Sequence, residues 1–304
     1  MKVFKVLLVF IILNGCSRVI KPKQLFTDVK ELSSDRYKGR KTGTAENQMA
    51  AEYIVGRFKS IGLKAYADDF RKPFTFKEKS GTEVKATNLI GYIAGKKPDA
   101  IVISAHYDHV GESKGEVYNG ADDNASGVGG LLAIAEYFSK NKPEHTLIFA
   151  AFDAEEAGLQ GAKAFVRNLP VDSARLKLNV NMDMISRSKK NELYVVGTFH
   201  YPLLKSHVVT THPKIKLLFG HDDPKLGKDD WTNQSDQAAF HAKRIPFLYF
   251  GVEDHPDYHQ PTDDYEKIDK AFYNNAVSSI LEVVKNLDQS VTIEKVHKDK
   301  HIMK

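Results

Sequence analysis

The amino-acid sequence predicts a three-layer α/β fold, in which helices cover both faces of a central β-sheet that is mostly parallel but mixed. The first observation is that apolar segments alternate with segments of helical spacing from residue 100 onwards. The second is that Ala100–Ala105 and Thr146–Phe152 are apolar at almost every position. Strands that are apolar on both faces are buried on both faces, which is typical of parallel sheets between two helical layers.

The elements before residue 100 are predicted from their caps and turns. Thr44 is a favoured N-cap residue, and apolar residues follow it at helical spacing until Gly62, which ends the helix. The segments Phe74–Lys79 and Glu83–Ile93 are predicted to be strands on either side of a Ser80-Gly81 turn.

After residue 100 the predicted helices and strands alternate along the chain. The helices are Gly127–Ser139, Gly158–Asn168, Tyr201–Thr211, Ser235–His241 and Tyr265–Leu287, and the further strands are Lys177–Ile185, Glu192–Gly197, Lys214–Phe219 and Pro246–Gly251.

Composition and charge exclude several classes of protein. The 304 residues are 42% hydrophobic and 27% charged, as in ordinary globular proteins. The net charge of +5 is mild, and no run of Lys and Arg is dense enough for a nucleic-acid-binding surface. The single cysteine, Cys16, excludes an intrachain disulfide and a thiolate metal cluster.

The N-terminus has the pattern of a bacterial lipoprotein signal. Two lysines precede the apolar run Val6–Leu13, which is too short to span a bilayer and ends in Leu-Asn-Gly-Cys. This ending resembles a lipobox, so residues 1–15 are predicted to be removed and Cys16 to be lipidated. An ordinary secretory signal or an uncleaved anchor is the alternative. We expect a tether at 16–24, one domain at 25–296 and a disordered tail at 297–304, with the protein anchored in the cell envelope, periplasmic or on the outer surface.

Ligand-type side chains follow the predicted strands. His106 and Asp108 lie two residues apart at a strand end, so extended geometry would point both to one side, with the carboxylate behind a metal-binding imidazole. A purely structural His–Asp pair is an equal alternative, and His109 breaks the alternation, which favours a supporting role. Asp122 and Asp123 precede a helix start, where only one of them can cap; the other could bridge two cations.

Three further positions complete a possible metal site. Glu155 and Glu156 directly follow a strand, so one could bind a metal while the other serves as a general base. The alternative, which is commoner for adjacent glutamates, is a solvent-exposed position at the start of a helix. Asp183 lies within an apolar run, where an unpaired carboxylate is costly. His259 lies in the last loop and is a weak signal by itself. Together these oxygen and nitrogen ligands fit two zinc ions that share one aspartate.

The motifs SAHYDHVG, NGADDNASG, FDAEEAGLQGA, LNVNMDMI and YHQPTDDYEKI resemble those of the co-catalytic di-zinc aminopeptidases of the bacterial leucyl aminopeptidase and aminopeptidase Y type. The segment GRKTGTAENQMAAEYIVGRFKSIGL is similar to the N-terminal region of the same family, so the resemblance covers nearly the whole mature chain. It implies a zinc-exopeptidase-like fold, which glutaminyl cyclases share, two zinc ions, and a peptide substrate with a free N-terminus.

The resemblance also implies a role for each residue. The metal ligands would be His106, Asp123, Glu156, Asp183 and His259, with Asp123 as the bridge and a cis peptide bond after it. Glu155 would be the general base and Tyr258 would stabilise the oxyanion, while Asp108 and Asp236 would support the ligands from behind.

Two other functions stay open at this point. A glutaminyl cyclase would use the same fold and zinc, but the cyclases of this family tend to carry tryptophan where this chain has Tyr258. A binding lipoprotein would use the fold without catalysis, although such relatives usually lose ligands and none is missing here.

Overall fold

A computed structural model describes residues 20–290; the predicted signal peptide, Cys16 and the tail at 297–304 lie outside this range. The helices are α1 (Pro22–Leu32), α2 (Ala45–Ile61), α3 (Gly127–Lys140), α4 (Gln160–Arg167), α5 (Gln237–Ala242) and α6 (Lys270–Asp288). The strands are β1 (Lys64–Ala65), β2 (Arg71–Lys77), β3 (Glu83–Ile93), β4 (Lys97–His106), β5 (Gly111–Ser113), β6 (Glu116–Tyr118), β7 (His145–Phe152), β8 (Leu176–Met182), β9 (Glu192–Val196), β10 (Lys216–Phe219) and β11 (Phe247–Gly251).

A nine-stranded mixed sheet forms the centre of the described chain, in the order β1-β3-β7-β4-β8-β11-β9-β10, with β2 also paired to β3. The four central strands β7, β4, β8 and β11 are mutually parallel, whereas β3 and β9 run antiparallel to their inner neighbours. The carboxyl ends of the four parallel strands therefore meet at one edge of the sheet, where ligands bind in such folds. The predicted three-layer α/β class with a mixed sheet is confirmed.

Strand β4 shows how the sheet is buried between two helical layers. Ile101 and Ile103 pack into the core that also contains residues of α1, α2, α3 and α6. Ala100 and Val102 point the other way, into the core formed with α4 and α5. All four are completely buried. Burying an aliphatic side chain such as Val or Ile contributes about 1.5–3 kcal/mol each, so apolar residues on both faces of the strand stabilise the fold.

Helix α2 begins and ends where the sequence predicts. The Thr44 side chain accepts a hydrogen bond from the amide of Asn47 at 3.1 Å, which caps the helix. Gly62 closes it in the left-handed conformation, with φ 86°, which glycine adopts without steric cost. Helix α1 begins at Pro22, within the expected tether, because proline suits the first turn of a helix.

Two predicted helices differ from the structure. The predicted helix Tyr201–Thr211 is only a short 3-10 segment, Pro202–His207, since threonines and a proline follow it. The last helix begins at Lys270 rather than Tyr265. The Asp269 side chain accepts hydrogen bonds from the amides of Ala271 and Phe272, and this cap starts a new helix after a separate 3-10 turn.

The short hairpin of β5 and β6 was not predicted, because its strands are only three residues long. Within residues 20–290, no helix combines the length and apolar character needed to cross a membrane.

Candidate metal centre

The predicted ligands converge at the carboxyl edge of the four parallel strands. His106 is the last residue of β4, Glu155 and Glu156 follow β7, and Asp183 follows β8. Asp123 lies in the irregular turn Ala121–Ser126 that leads into α3, and His259 lies in the loop between β11 and α6. Two sets of side chains there have ligand atoms close enough for a metal ion: the His106 group (His106, Glu155, Asp183) and the His259 group (His109, Asp123, Glu156, His259).

Asp123 presents one carboxylate oxygen to each group. Its Oδ1 lies 3.4 Å from Nε2 of His106, and its Oδ2 lies 3.0 Å from Nε2 of His259. The same two imidazoles face a second carboxylate each, with His106 Nε2 at 3.2 Å from Asp183 and His259 Nε2 at 3.3 Å from Glu156. This is the arrangement expected of a carboxylate that bridges two cations.

The ligand spacing fits zinc. Nitrogen and oxygen ligands at about 2.0–2.1 Å from a tetrahedral zinc ion are roughly 3.3–3.4 Å apart. The four imidazole–carboxylate distances around Asp123, Asp183 and Glu156 are 3.0–3.4 Å. Together the two groups contain four carboxylates and three imidazoles, an excess of negative charge that suits divalent cations.

The pKa shifts reflect the same excess of negative charge. Burial opposes protonation of His106, but the charges of Asp183 and Glu155 raise its pKa well above the usual value. The pKa of His259 likewise rises to about 10 against the effect of burial, through its hydrogen bonds to Asp123 and Glu156. Without a cation the imidazoles hold protons that balance the carboxylates, and a bound metal would replace those protons.

The two neighbouring glutamates have opposite environments. Burial raises the pKa of Glu155 well above its usual range, while the charge of His106 opposes the shift. Glu156 is partly buried, which favours a higher pKa, yet hydrogen bonds with His109 and His259 lower its pKa. A carboxyl group whose pKa is displaced upward is suited to exchange protons near neutral pH, whereas one held as a carboxylate is suited to bind a metal.

The Asp108 carboxylate lies closer to the backbone of the two glutamates than to the imidazole of His106. It accepts hydrogen bonds from the amides of Glu155 at 3.0 Å and Glu156 at 3.3 Å. The expected contact behind His106 is instead made by the Asp108 backbone carbonyl, 3.2 Å from Nδ1, whereas the carboxylate is 3.7 Å away. The extended geometry assumed in the sequence prediction ends with β4 at His106, so the side chain of Asp108 turns towards the next loop.

Asp122 turns away from both groups. It accepts hydrogen bonds from the amide and the hydroxyl of Ser186, both at 2.8 Å, and lies 3.0 Å from Nε2 of His255. The carboxylate of Asp263 accepts hydrogen bonds from the amides of Asp122 and Asp123, each at 3.0 Å. The peptide bond after Asp123 is cis, as the resemblance implied. The sequence did not indicate that Ser186, His255 and Asp263 contact this turn, because each of them lies more than 60 residues from Asp122.

His109 lies closer to the ligands than its position in the sequence suggests. Its ring is completely buried, with Nδ1 2.9 Å from Glu156 and 3.7 Å from Asp123. The loop after β4 folds back to bring it there, so His109 contacts Glu156 and has a ring nitrogen within reach of the His259 group. Gly120 has φ 57°, and a Cβ at this position would collide with the His109 ring.

Asp236 and Tyr258 also lie where they can influence the site. Asp236 is fully buried and neither carboxylate oxygen has a hydrogen-bond partner within residues 20–290; burial raises its pKa to about 8, against the charge of His106. Tyr258 stacks on His259 with ring centroids 4.0 Å apart, and burial raises its pKa.

A cavity of about 250 Å³ opens beside the ligands. Its walls include Tyr258, Tyr249 and Trp231, and its rim includes Glu253 and Asp254. Trp231 lines this cavity and also anchors its own loop, because its ring stacks on that of His221 with centroids 3.7 Å apart.

Comparisons with known proteins agree with this geometry. Aminopeptidase YwaD of Bacillus subtilis is 32% identical over 249 residues, which cover 76% of this chain and 52% of YwaD. The alkaline phosphatase isozyme conversion protein of Escherichia coli is 28% identical over 161 residues, covering 48% of this chain and 47% of that protein. The chain thus spans about half the length of these curated relatives.

Solved structures share the fold. An aminopeptidase from Aneurinibacillus sp. strain AM-1 matches with a TM-score of 0.71 at 17% identity, covering 88% of this chain and 94% of the other. A glutaminyl cyclase from Bacteroides thetaiotaomicron matches with a TM-score of 0.67 at 20% identity, covering 88% and 99%. At these identities the likeness concerns the fold alone. A model of "Peptidase family M28" matches residues 88–284, which is well over half of the sequence, so the chain belongs to peptidase family M28.

Proposed function

We propose that the protein is a zinc aminopeptidase that removes N-terminal residues from peptides at a centre of two zinc ions. The observation that carries the proposal is the position of Asp123, whose two oxygens face His106 and His259 at 3.4 and 3.0 Å. Membership of a peptidase family, and the aminopeptidase named among the relatives, support the reaction class.

In this proposal each zinc ion is held by one imidazole, one terminal carboxylate and the shared aspartate. His106 and Asp183 would hold one ion, His259 and Glu156 the other, and Asp123 both. When bound, zinc supplies Lewis acidity, which polarises the scissile carbonyl and makes water easier to deprotonate. Each zinc ion would then have three protein ligands, the number typical of catalytic zinc sites.

The remaining chemistry belongs to the side chains. Glu155 accepts the proton of the attacking water at its carboxylate and then donates it to the departing amine. Desolvation raises the pKa of Glu155, which makes its carboxylate a stronger base than a solvated one. Asp108 fixes the backbone of Glu155 and Glu156 through their amides. The Tyr258 hydroxyl donates a hydrogen bond to the oxyanion of the tetrahedral intermediate.

A peptide panel tests the proposal. The zinc-loaded mature protein is incubated with peptides that begin with different residues, including leucine and glutamine. The masses of the products are then measured by mass spectrometry. We expect loss of single N-terminal residues and no reaction of N-acetylated copies of the same peptides, because the substrate must present a free amine. Loss of ammonia from the glutamine peptide without cleavage would indicate a cyclase. No reaction with two metals bound would favour a binding protein.

We also propose that Cys16 carries a lipid that anchors the protein in the cell envelope. The support is the Leu-Asn-Gly-Cys sequence after a short apolar run, with the only cysteine of the chain at this place. In a bacterial host, a C16S variant is expected to leave the membrane fraction, and the wild-type N-terminal peptide to carry acyl mass. An unmodified N-terminal cysteine in the membrane-associated wild type would contradict the proposal.

A further inference from the structure

Arg40 is the largest completely buried side chain in the described part of the chain, with 1% of its surface exposed. It enters the interior from a tight turn in which Lys38, Gly39 and Arg40 all have left-handed backbone, with φ 41°, 69° and 50°. Two of these residues have a Cβ, so the turn is unfavourable by itself. The turn packs tightly against the neighbouring loops: a Cβ at Gly39 would collide with the carbonyl oxygens of Gly111 and Tyr118.

Within residues 20–290, the guanidinium group binds four backbone carbonyl groups and no carboxylate. Nε donates to Tyr107 at 2.9 Å, and Nη2 donates to Gly120 at 3.0 Å. Nη1 donates to Leu32 and to Asn119, both at 2.6 Å. A buried cation without a contacting anion is costly, since desolvation favours its neutral form. Such a group persists only where its hydrogen bonds are well made and other charges compensate it.

Three of the four acceptors lie on the two segments that carry His106 and Asp123, whereas the fourth, Leu32, is the last residue of helix α1. Tyr107 stands between His106 and Asp108, and Asn119 with Gly120 directly precedes the turn that contains Asp123. The rigid fork of one guanidinium therefore joins the end of β4 to the segment of the bridging aspartate. Lysine could not reproduce this link, because its ammonium group is a single point with rotatable donors.

The charge of Arg40 also acts on the same site. Burial lowers the pKa of Arg40 to about 10, while the nearby charges of Asp123 and Asp108 raise it. The guanidinium remains protonated at neutral pH and places a fixed positive charge behind the carboxylates. This charge stabilises them while no cation is bound.

We propose that Arg40 is a positioning residue of the metal centre: by joining the segments of His106 and Asp123 it sets the spacing of these two ligands, and thereby the affinity for zinc. The proposal rests on the metal centre of the proposed function but not on the identity of the substrate. The alternative is that Arg40 only fills the interior, in which case its loss would lower stability without a specific effect on metal binding.

The test measures zinc affinity of the demetallated protein against a chromophoric chelator, with thermal unfolding of each variant in parallel. The variants are R40K, which keeps the positive charge, and R40M, which has a long side chain without charge or hydrogen-bond donors. The matched control is R57K, because Arg57 binds Asp28 at 2.8 Å on helix α1 and touches neither metal group.

We expect R40K to bind zinc about 10- to 100-fold more weakly than the wild type, the usual cost of losing an outer support of metal ligands. R40M should also bind zinc more weakly than the wild type, because the link is lost, although removal of the nearby positive charge acts in the opposite direction. R57K should bind zinc as tightly as the wild type. Cobalt(II) loading gives a second readout, since its visible absorption should change in R40K if the ligand geometry changes.

Wild-type zinc affinity and an unchanged cobalt spectrum in folded R40K would overturn the role of Arg40 while leaving the metal centre intact. If R40M does not fold, R40K decides the question. If the wild type itself binds no zinc, the metal centre is wrong, and this inference fails with the proposed function.

Discussion

Replacing Glu155 with glutamine is expected to lower kcat by about 10²–10⁴-fold, the usual contribution of a general base, and to leave the zinc content unchanged. Glutamine keeps the size of the side chain but cannot accept the proton of the attacking water. Glu155 lies in the His106 group, whose imidazole also faces carboxylates of Asp183 and Asp123. These residues would retain the metal, so activity and metal content should separate. Steady-state kinetics and elemental analysis of the same preparation check this result.

The neighbouring glutamate is the matched control. E156Q removes the carboxylate that lies 3.3 Å from His259, and it should lose zinc together with activity. If E155Q loses zinc to the same extent as E156Q, Glu155 is a ligand and the assignment of the base is wrong. If E155Q keeps full activity, the proposed chemistry does not occur at this residue.

Replacing Asp123 with asparagine is expected to weaken binding of both zinc ions, by more than the 10- to 100-fold typical for supporting residues. The amide has the size of the carboxylate but no negative charge, and it cannot bridge two cations with two anionic oxygens. Because Asp123 faces His106 and His259 at once, both sites should be affected in one variant. Zinc stoichiometry by calorimetry, supported by mass spectrometry under native conditions, distinguishes the loss of two ions from the loss of one.

D122N provides the comparison at the adjacent position. Asp122 is fully buried and bonded to Ser186 and His255, so this variant should lose about 1–3 kcal/mol of unfolding free energy and still bind two zinc ions. A D122N protein that loses metal while D123N retains it would reverse the assignment of the bridge.

Much of the fold was predictable because its signals are local. Thr44 and Gly62 mark the ends of α2, and the apolar character of β4 on both faces indicates a buried strand. Residues that follow parallel strands meet at one edge, so the approach of His106, Glu155 and Asp183 follows from topology alone. The choice of Asp123 over Asp122 came only from the family resemblance, because two adjacent aspartates look alike in a sequence.

The support of the ligands was not predictable, because it depends on contacts between distant parts of the chain. Arg40 is separated from Gly120 by 80 residues, and a basic residue in a polar, glycine-containing segment suggests an exposed loop. The sequence predicted that Asp108 lies behind His106, but it gave no indication that the same carboxylate, 3.7 Å from His106, also accepts hydrogen bonds from the amides of Glu155 and Glu156. These contacts depend on the conformations of loops, which the hydrophobic periodicity of the sequence does not predict.

The contact between Asp263 and the amide of Asp123 also has a consequence for biosynthesis. The two residues are 140 positions apart, so the ribosome adds Asp263 long after Asp123. At translation rates of about 5–20 residues per second, the ribosome adds Asp263 roughly 7–28 s after Asp123. The central strands have been synthesised by then, whereas His259 and Asp263 have only just been added. The proposed metal centre can therefore be assembled only after the segment up to Asp263 has been synthesised.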